Sequence, residues 1–196
     1  MEINKDQEII YNFLFPFFKN NEPKLKSFCE LWKPFNSSRK QILSNAGYPE
    51  KYLYFVLDGV QRVYYHDDEG REATLVFTYS PSFGGVLDSF MLNQDSKYFY
   101  ETLTQSRFFR ISRTDFFNFL QNSPELVILI QNGLAATVSG VLERLVELQC
   151  YSSEAKFRSL LQRSPHILSL VPHKYLANYL GIDPSNFSKF INKIKI

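Results

Sequence analysis

Pro172-His-Lys-Tyr-Leu-Ala-Asn-Tyr-Leu-Gly-Ile-Asp-Pro-Ser-Asn-Phe-Ser-Lys-Phe-Ile191 holds two short helical patterns with a break between them. Leu176, Ala177 and Leu180 fall on one face of the first helix. Gly181 stands where a left-handed residue would end it, and Ile182 is placed to plug the corner. Asp183 and Pro184 form an N-cap and first-position pair that starts a second helix. That helix turns Phe187, Phe190 and Ile191 inward and leaves Ser185, Asn186, Lys189, Asn192 and Lys193 outward. The small Ala177 permits a close crossing of the two helices. The pattern predicts a helix-turn-helix, the motif whose second helix enters the major groove of DNA.

Charge follows the same division. The whole chain of 196 residues carries a formal net charge of only +2. Residues 1–152 hold 15 Lys/Arg against 18 Asp/Glu, whereas residues 153–196 hold seven against two. A basic end on an acidic body suits a module that binds a polyanion.

Upstream, Val127, Ile130, Leu134, Val138, Val141, Leu145 and Leu148 advance with a mean spacing of 3.5, the heptad value. Gly133 and Gly140 lie seven apart on one side. The stretch predicts a long helix after Pro124, with one face on the body of the protein and a seam facing a second copy. Before it, the period is that of strands. Tyr52–Leu57, Val60–Tyr65 and Glu72–Thr78 are separated by Asp58-Gly59 and by His66-Asp-Asp-Glu-Gly70. A loop at Tyr79–Gly85 and a short helix at Val86–Leu92 precede strands at Tyr98–Leu103 and Arg107–Ile111. Thr114–Leu120 reads as a helix capped by Ser112. Residues 3–33 read as two short helices broken around Pro16 and Pro23, and residues 152–196 as helices at Ala155–Gln162, Lys174–Leu180 and Pro184–Ile194. Short strands without intervening helices predict an α+β protein: an antiparallel β-roll, a long dimerisation helix and a C-terminal all-α helix-turn-helix domain. The expected boundaries are 1–122 for the roll, 123–151 for the dimerisation helix and 152–196 for the helix-turn-helix domain.

Composition excludes other classes. Hydrophobic residues at 44% and charged residues at 21% describe a globular chain rather than a disordered one. No apolar run is expected to approach the roughly 20 residues of a membrane helix, so no membrane partner is anticipated. Cys29 and Cys150 form neither a disulfide framework nor a metal spacing, and a cytoplasmic location is the default. No catalytic residues and no metal ligands are assigned. Among the three histidines only His66 lies in the roll, which argues against a cupin-like metalloenzyme.

The chain resembles the Crp/Fnr family of bacterial transcription regulators, which join a cyclic-nucleotide-binding-type roll to a dimerisation helix and a helix-turn-helix. Tyr52-Leu-Tyr-Phe-Val-Leu-Asp-Gly-Val-Gln-Arg-Val-Tyr64, Phe83-Gly-Gly85 and Pro172–Lys193 carry the resemblance, in the expected order over nearly the whole length. It implies that Ser185, Asn186 and Lys189 reach base edges, and that His173, Lys174 and Lys193 meet phosphates. It places an effector pocket around Gly84, Gly85, Ser96, Lys97, Val141 and Leu142. There the departures are plain. Gly84-Gly85 replaces the Gly-Glu that would hold a ribose, Ser96-Lys97 replaces the Arg-Ser that would hold a cyclic phosphate, and Val141 and Leu142 are apolar where base contacts are expected. No cofactor is therefore expected: a cyclic nucleotide is disfavoured, while another small effector, or none, stays open. The chain ends at Ile196 without the β-hairpin wing of many relatives, so weaker backbone contacts to DNA are expected. The implied function is a homodimeric regulator that reads an inverted repeat in double-stranded DNA, with RNA polymerase as a further candidate partner. The rival reading is a dimeric effector-binding or protein-interaction module without DNA binding.

Overall fold

The computed structural model describes residues 5–18 and 21–193. Two helices open it, α1 (Lys5–Phe18) and α2 (Glu22–Leu31). Eight strands then follow, with two short helices among and after them: β1 (Lys33–Ser37), β2 (Ile42–Ser44), β3 (Tyr52–Asp58), β4 (Val60–His66), β5 (Glu72–Tyr79), β6 (Ser82–Gly84), α3 (Leu87–Leu92), β7 (Phe99–Thr102), β8 (Ser106–Ser112) and α4 (Arg113–Leu120). The chain continues through α5 (Pro124–Cys150), α6 (Ser153–Arg163), α7 (Ile167–Leu170), α8 (His173–Leu180) and α9 (Pro184–Lys193).

The strands form two antiparallel four-stranded sheets, in the orders β1-β8-β3-β6 and β2-β7-β4-β5. Strand β3 shows why the arrangement is stable. Tyr54 and Val56 point between the sheets, where they meet Val63, Val86, Tyr100 and Phe108. Leu53, Phe55 and Leu57 point the other way, into a layer made by α1, α2, α4 and the first turns of α5. Both faces of β3 are thus buried, which is why its sequence runs as an unbroken apolar stretch.

Three expectations need correction. Pro16 does not break α1; it sits in the last turn, and the helix runs on to Phe18. Pro23 instead occupies the start of α2, where a missing N–H costs nothing, and the Asn21 side chain caps that helix through the Lys24 N–H. Strands β1, β2 and β6 were not anticipated; Ser82–Gly84 lies in the stretch read as a loop. The third concerns α5. Between Glu125 and Glu143 it has no charged residue, and its most apolar 18-residue window has a mean hydropathy of 1.5. By length and composition this helix could cross a membrane, contrary to the expectation that no such run exists. Ile194, at the end of the last predicted helix, lies outside the described residues.

The packing of α5 is also less extensive than expected. Leu126, Leu129 and Ile130 join the helical layer, whereas residues 131–143 are all exposed. Nothing lies within 4 Å of where a Cβ at Gly133 or Gly140 would stand. The middle of the helix therefore leaves the body of the chain on every side. Ile130 is half-buried, and Val127, Leu134, Val138, Val141, Leu145 and Leu148 are exposed, so the heptad stripe lies almost wholly on the free surface.

Candidate nucleic-acid interface

The turn between α8 and α9 is built from three local devices. Gly181 adopts φ 60°, ψ 39°; its N–H donates to Asn178 O, and the Ile182 N–H donates to Ala177 O at 3.0 Å. These two bonds close a Schellman motif, with Ile182 buried beneath it. Asp183 then caps α9, accepting from the N–H groups of Ser185 (2.8 Å) and Asn186 (3.4 Å). Its carboxyl is held below the usual range, first by the Ser185 hydroxyl and then by these N–H groups.

Leu176, Ala177, Leu180 and Phe187 are fully buried with Phe157 and Leu160 of α6. The Phe157 and Phe187 rings meet edge to face at 5.2 Å. The opposite face of α9 exposes Ser185, Asn186, Ser188, Lys189, Asn192 and Lys193. His173 and Lys174, at the start of α8, are exposed beside it. The Ser185 hydroxyl is engaged by Asp183, so it can reach a partner only as an acceptor or by leaving its cap. Of the six described basic residues after position 152, two are committed to carboxylates within the chain: Arg158 to Glu154 and Arg163 to Glu147. The cationic surface there rests on lysines.

The six residues placed around an effector pocket are not gathered in the same way. Gly84 is buried at the end of β6, and the Tyr100 hydroxyl occupies the space a Cβ there would need. Tyr100 is itself fully buried and shares a 3.0 Å hydrogen bond with Thr78 Oγ1. Gly85 has φ +110° and lies beside the buried Glu50 carboxylate, which accepts from the N–H groups of Tyr52 (3.3 Å) and Val86 (3.2 Å). Burial pushes the Glu50 carboxyl pKa up, partly offset by the Ser44 hydroxyl and these N–H groups. Ser96 is turned into its own loop, its hydroxyl donating to Tyr98 O at 2.7 Å; Lys97 is exposed, and Val141 and Leu142 are on the free part of α5. Cavities of about 550 and 560 Å³ lie elsewhere, between the roll and α8 and against the start of α5, and neither is lined by these six residues. Replacing Gly84 by Ala would press a methyl group onto the Tyr100 hydroxyl. We expect Gly84→Ala to destabilise by about 2 kcal/mol, measured by urea unfolding.

The joint between the helix-turn-helix unit and the rest of the chain escaped the sequence reading. Glu147, near the end of α5, is buried and receives Arg144 (3.0 Å), Arg163 and the Ser159 hydroxyl, which ties α5 to α6. Arg144 also donates to the Tyr179 carbonyl and lies 4.1 Å from the centre of that ring. In β4, Arg62 is sandwiched between Tyr64 and Tyr175, each ring at 4.1 Å, while Glu72 and Glu101 neutralise it. Asn178 of α8 accepts from the Thr74 N–H at 2.6 Å and donates to the Glu72 carbonyl at 2.7 Å. The one available signal was chemical: a charge inside an apolar stripe, as at Arg62 and Glu147, needs a partner.

Residues 35–123 match the family of cyclic nucleotide-binding domains. By sequence, no curated protein matches the chain. Among solved structures, FixK2 from Bradyrhizobium japonicum superposes with a TM-score of 0.74 at 13% identity, covering 83% of each chain. The fold is that of the Crp/Fnr regulators. A protein from Eubacterium rectale assigned to the Crp/Fnr family gives 0.70 at 19% identity, with 91% of this chain and 86% of that one covered. The c-di-GMP-responsive global regulator CLP of Xanthomonas campestris gives 0.67 at 18% identity, covering 88% and 91%. The Crp/Fnr fold thus accounts for the order of roll, long helix and helix-turn-helix found here.

Proposed function

We propose that this chain is a homodimeric, DNA-binding transcription regulator of the bacterial cytoplasm. The observation that carries the reading is α9. Its inner face is fixed by Phe187 packing on Phe157 of α6, and its outer face presents Ser185, Asn186, Lys189 and Lys193 to solvent. In the major groove Asn can pair with adenine and Lys with guanine, while Ser accepts or donates. His173, Lys174 and Lys193 flank that face and would meet phosphates, which position a protein without reading sequence. A two-fold dimer through the exposed stripe of α5 would present two such helices about 34 Å apart, so the operator is an inverted repeat. The partner is double-stranded DNA, and no catalytic role is assigned.

A cyclic nucleotide is not part of this reading. Gly85 offers no carboxylate to a ribose, Lys97 is an exposed point charge, and Tyr54, Tyr100 and Phe108 fill the space between the sheets. Effector-independent binding is the simpler account.

Selection from a random duplex pool at near-physiological salt tests the proposal. An enriched inverted repeat is the expected result; retention without enrichment contradicts sequence reading, and no retention at low salt leaves the interaction-module alternative. On the enriched site, Lys189→Ala should cost about 1–3 kcal/mol and relax preference at one position in each half-site. Lys174→Ala should weaken all sequences equally and flatten the salt slope by about one.

A further inference from the structure

Strand β5 is at the edge of its sheet, so one side of its backbone has no strand partner. At Glu72–Thr74 that side is taken by a side chain. The Asn178 amide accepts from one peptide group and donates to another two residues away, as a neighbouring strand would. Both bonds are short and are satisfied together in one orientation of α8. One other directional contact crosses between β5 and the helices after α5, a single hydrogen bond of 3.0 Å between the Tyr79 and Ser164 hydroxyls. One bond between two rotatable hydroxyls still permits rotation, and the apolar and ring contacts are more tolerant. Phe77 and Tyr179 meet as tilted rings at 5.3 Å, Val60 and Leu103 join an apolar cluster, and Arg62 lies flat on Tyr175. Such surfaces permit sliding; a two-point amide clasp does not.

From these contacts we infer that Asn178 is a positioning residue, whose clasp on the β5 edge holds α9 at one angle to the roll and so sets the spacing between operator half-sites. The inference rests on the DNA-binding reading above. The angle is transmitted because the Gly181–Asp183 turn is closed by its own hydrogen bonds and α9 moves with α8. A tilt of about 10° on a lever of about 17 Å, half the separation of paired recognition helices, shifts α9 by about 3 Å. That is about one base-pair step. Loss of the clasp therefore blurs the register between half-sites without altering the residues that touch bases.

The test uses the full chain and the selected inverted repeat, with its spacer lengthened or shortened by one and two base pairs. The wild type should prefer the selected spacer over its neighbours by about tenfold or more, and Asn178→Ala should reduce that preference below about threefold. Hydrogen exchange at the Thr74 amide reports independently on the clasp and should accelerate in the variant. Alanine favours helix, so α8 is expected to persist. Asn178→Asp, which can still accept from Thr74 but cannot donate to Glu72, should lie between the two and serves if the alanine variant does not fold. Equal weakening at every spacer would mark Asn178 as merely structural and overturn the inference. So would an unchanged spacer preference alongside a faster Thr74 amide, or an unchanged exchange rate. Failure of the wild type to bind any duplex would instead overturn the DNA reading itself, and the inference with it.

Discussion

The double variant Val138→Asp/Leu145→Asp is expected to sediment as a monomer at concentrations where the wild type forms the proposed dimer, and its affinity for the selected inverted repeat is expected to fall about a thousandfold. Both side chains are roughly half exposed, at 58% and 48%, so the chain's own fold does not depend on them. They belong to a stripe that continues through Val127, Leu134, Val141 and Leu148 along a helix whose middle, residues 131–143, is clear of the rest of the chain. Burying one such side chain against a second copy contributes about 1.5 kcal/mol or more. Two carboxylates in the seam remove that gain and add repulsion between copies, and a thousandfold change corresponds to about 4 kcal/mol. Sedimentation velocity in detergent-free buffer checks the assembly, and a titration with half-site and full-site duplexes checks the consequence. A wild type that is monomeric in buffer but binds lipid vesicles would reassign the stripe to a membrane. Unchanged dimerisation in the variant would place the interface elsewhere.

The second large effect is expected at Glu147. Burial alone would raise its carboxyl, but hydrogen bonds from Arg163, Ser159 and Arg144 hold it down at about 2. With the ordinary value at 4.5 in the unfolded chain, the ionised group stabilises the fold fully above about pH 5. The contribution fades as pH falls from there toward 2, and it is gone once both states are protonated below that. Glu147→Gln leaves Arg144 buried without its carboxylate, and breaking such a cluster from one side costs about 3–5 kcal/mol. The stability gap between wild type and variant should therefore be largest near neutral pH and close to zero at pH 2. Urea unfolding at a series of pH values measures it; a gap independent of pH would mean that charge at Glu147 is not what holds α5 to α6.

What was legible in advance was what the chain encodes locally. Gly181, Asp183-Pro184 and the three- and four-residue spacing of Leu176, Ala177 and Leu180 specify a turn between helices within about a dozen positions, and the structure reproduces it down to the cap. Strands β3 to β5 were equally readable, as apolar runs bounded by short turns, although only β4 and β5 pair across theirs; β3 and β4 fall in different sheets. By contrast, Lys33–Ser37 has no apolar alternation and becomes a strand only by pairing with β8, some 70 residues later. Ser82–Gly84 is held by β3 in the same manner. The joint was the least visible part. Asn178 is 104 positions from Thr74, and an asparagine among tyrosines looks like an ordinary half-exposed helix residue. Nor could periodicity show how little of α5 is covered by its own chain, since a heptad stripe looks the same whether it faces a roll or a second copy.

The clasp also has a meaning for solubility. An unprotected edge strand recruits other strands, and proteins commonly guard such edges with charge, bulges or a covering element. Here the guard is a domain that sits on the edge for another purpose. Were the helices after α5 lost or swung away, the Glu72–Thr74 backbone would be bared together with Val60, Phe77, Tyr79 and Leu103, which now face them. A strand edge beside an apolar patch is a nucleus for sheet-to-sheet polymerisation. The segment proposed to bind DNA would thus double as the cap that keeps the roll from aggregating, and selection against precipitation would preserve their contact whatever its role in binding.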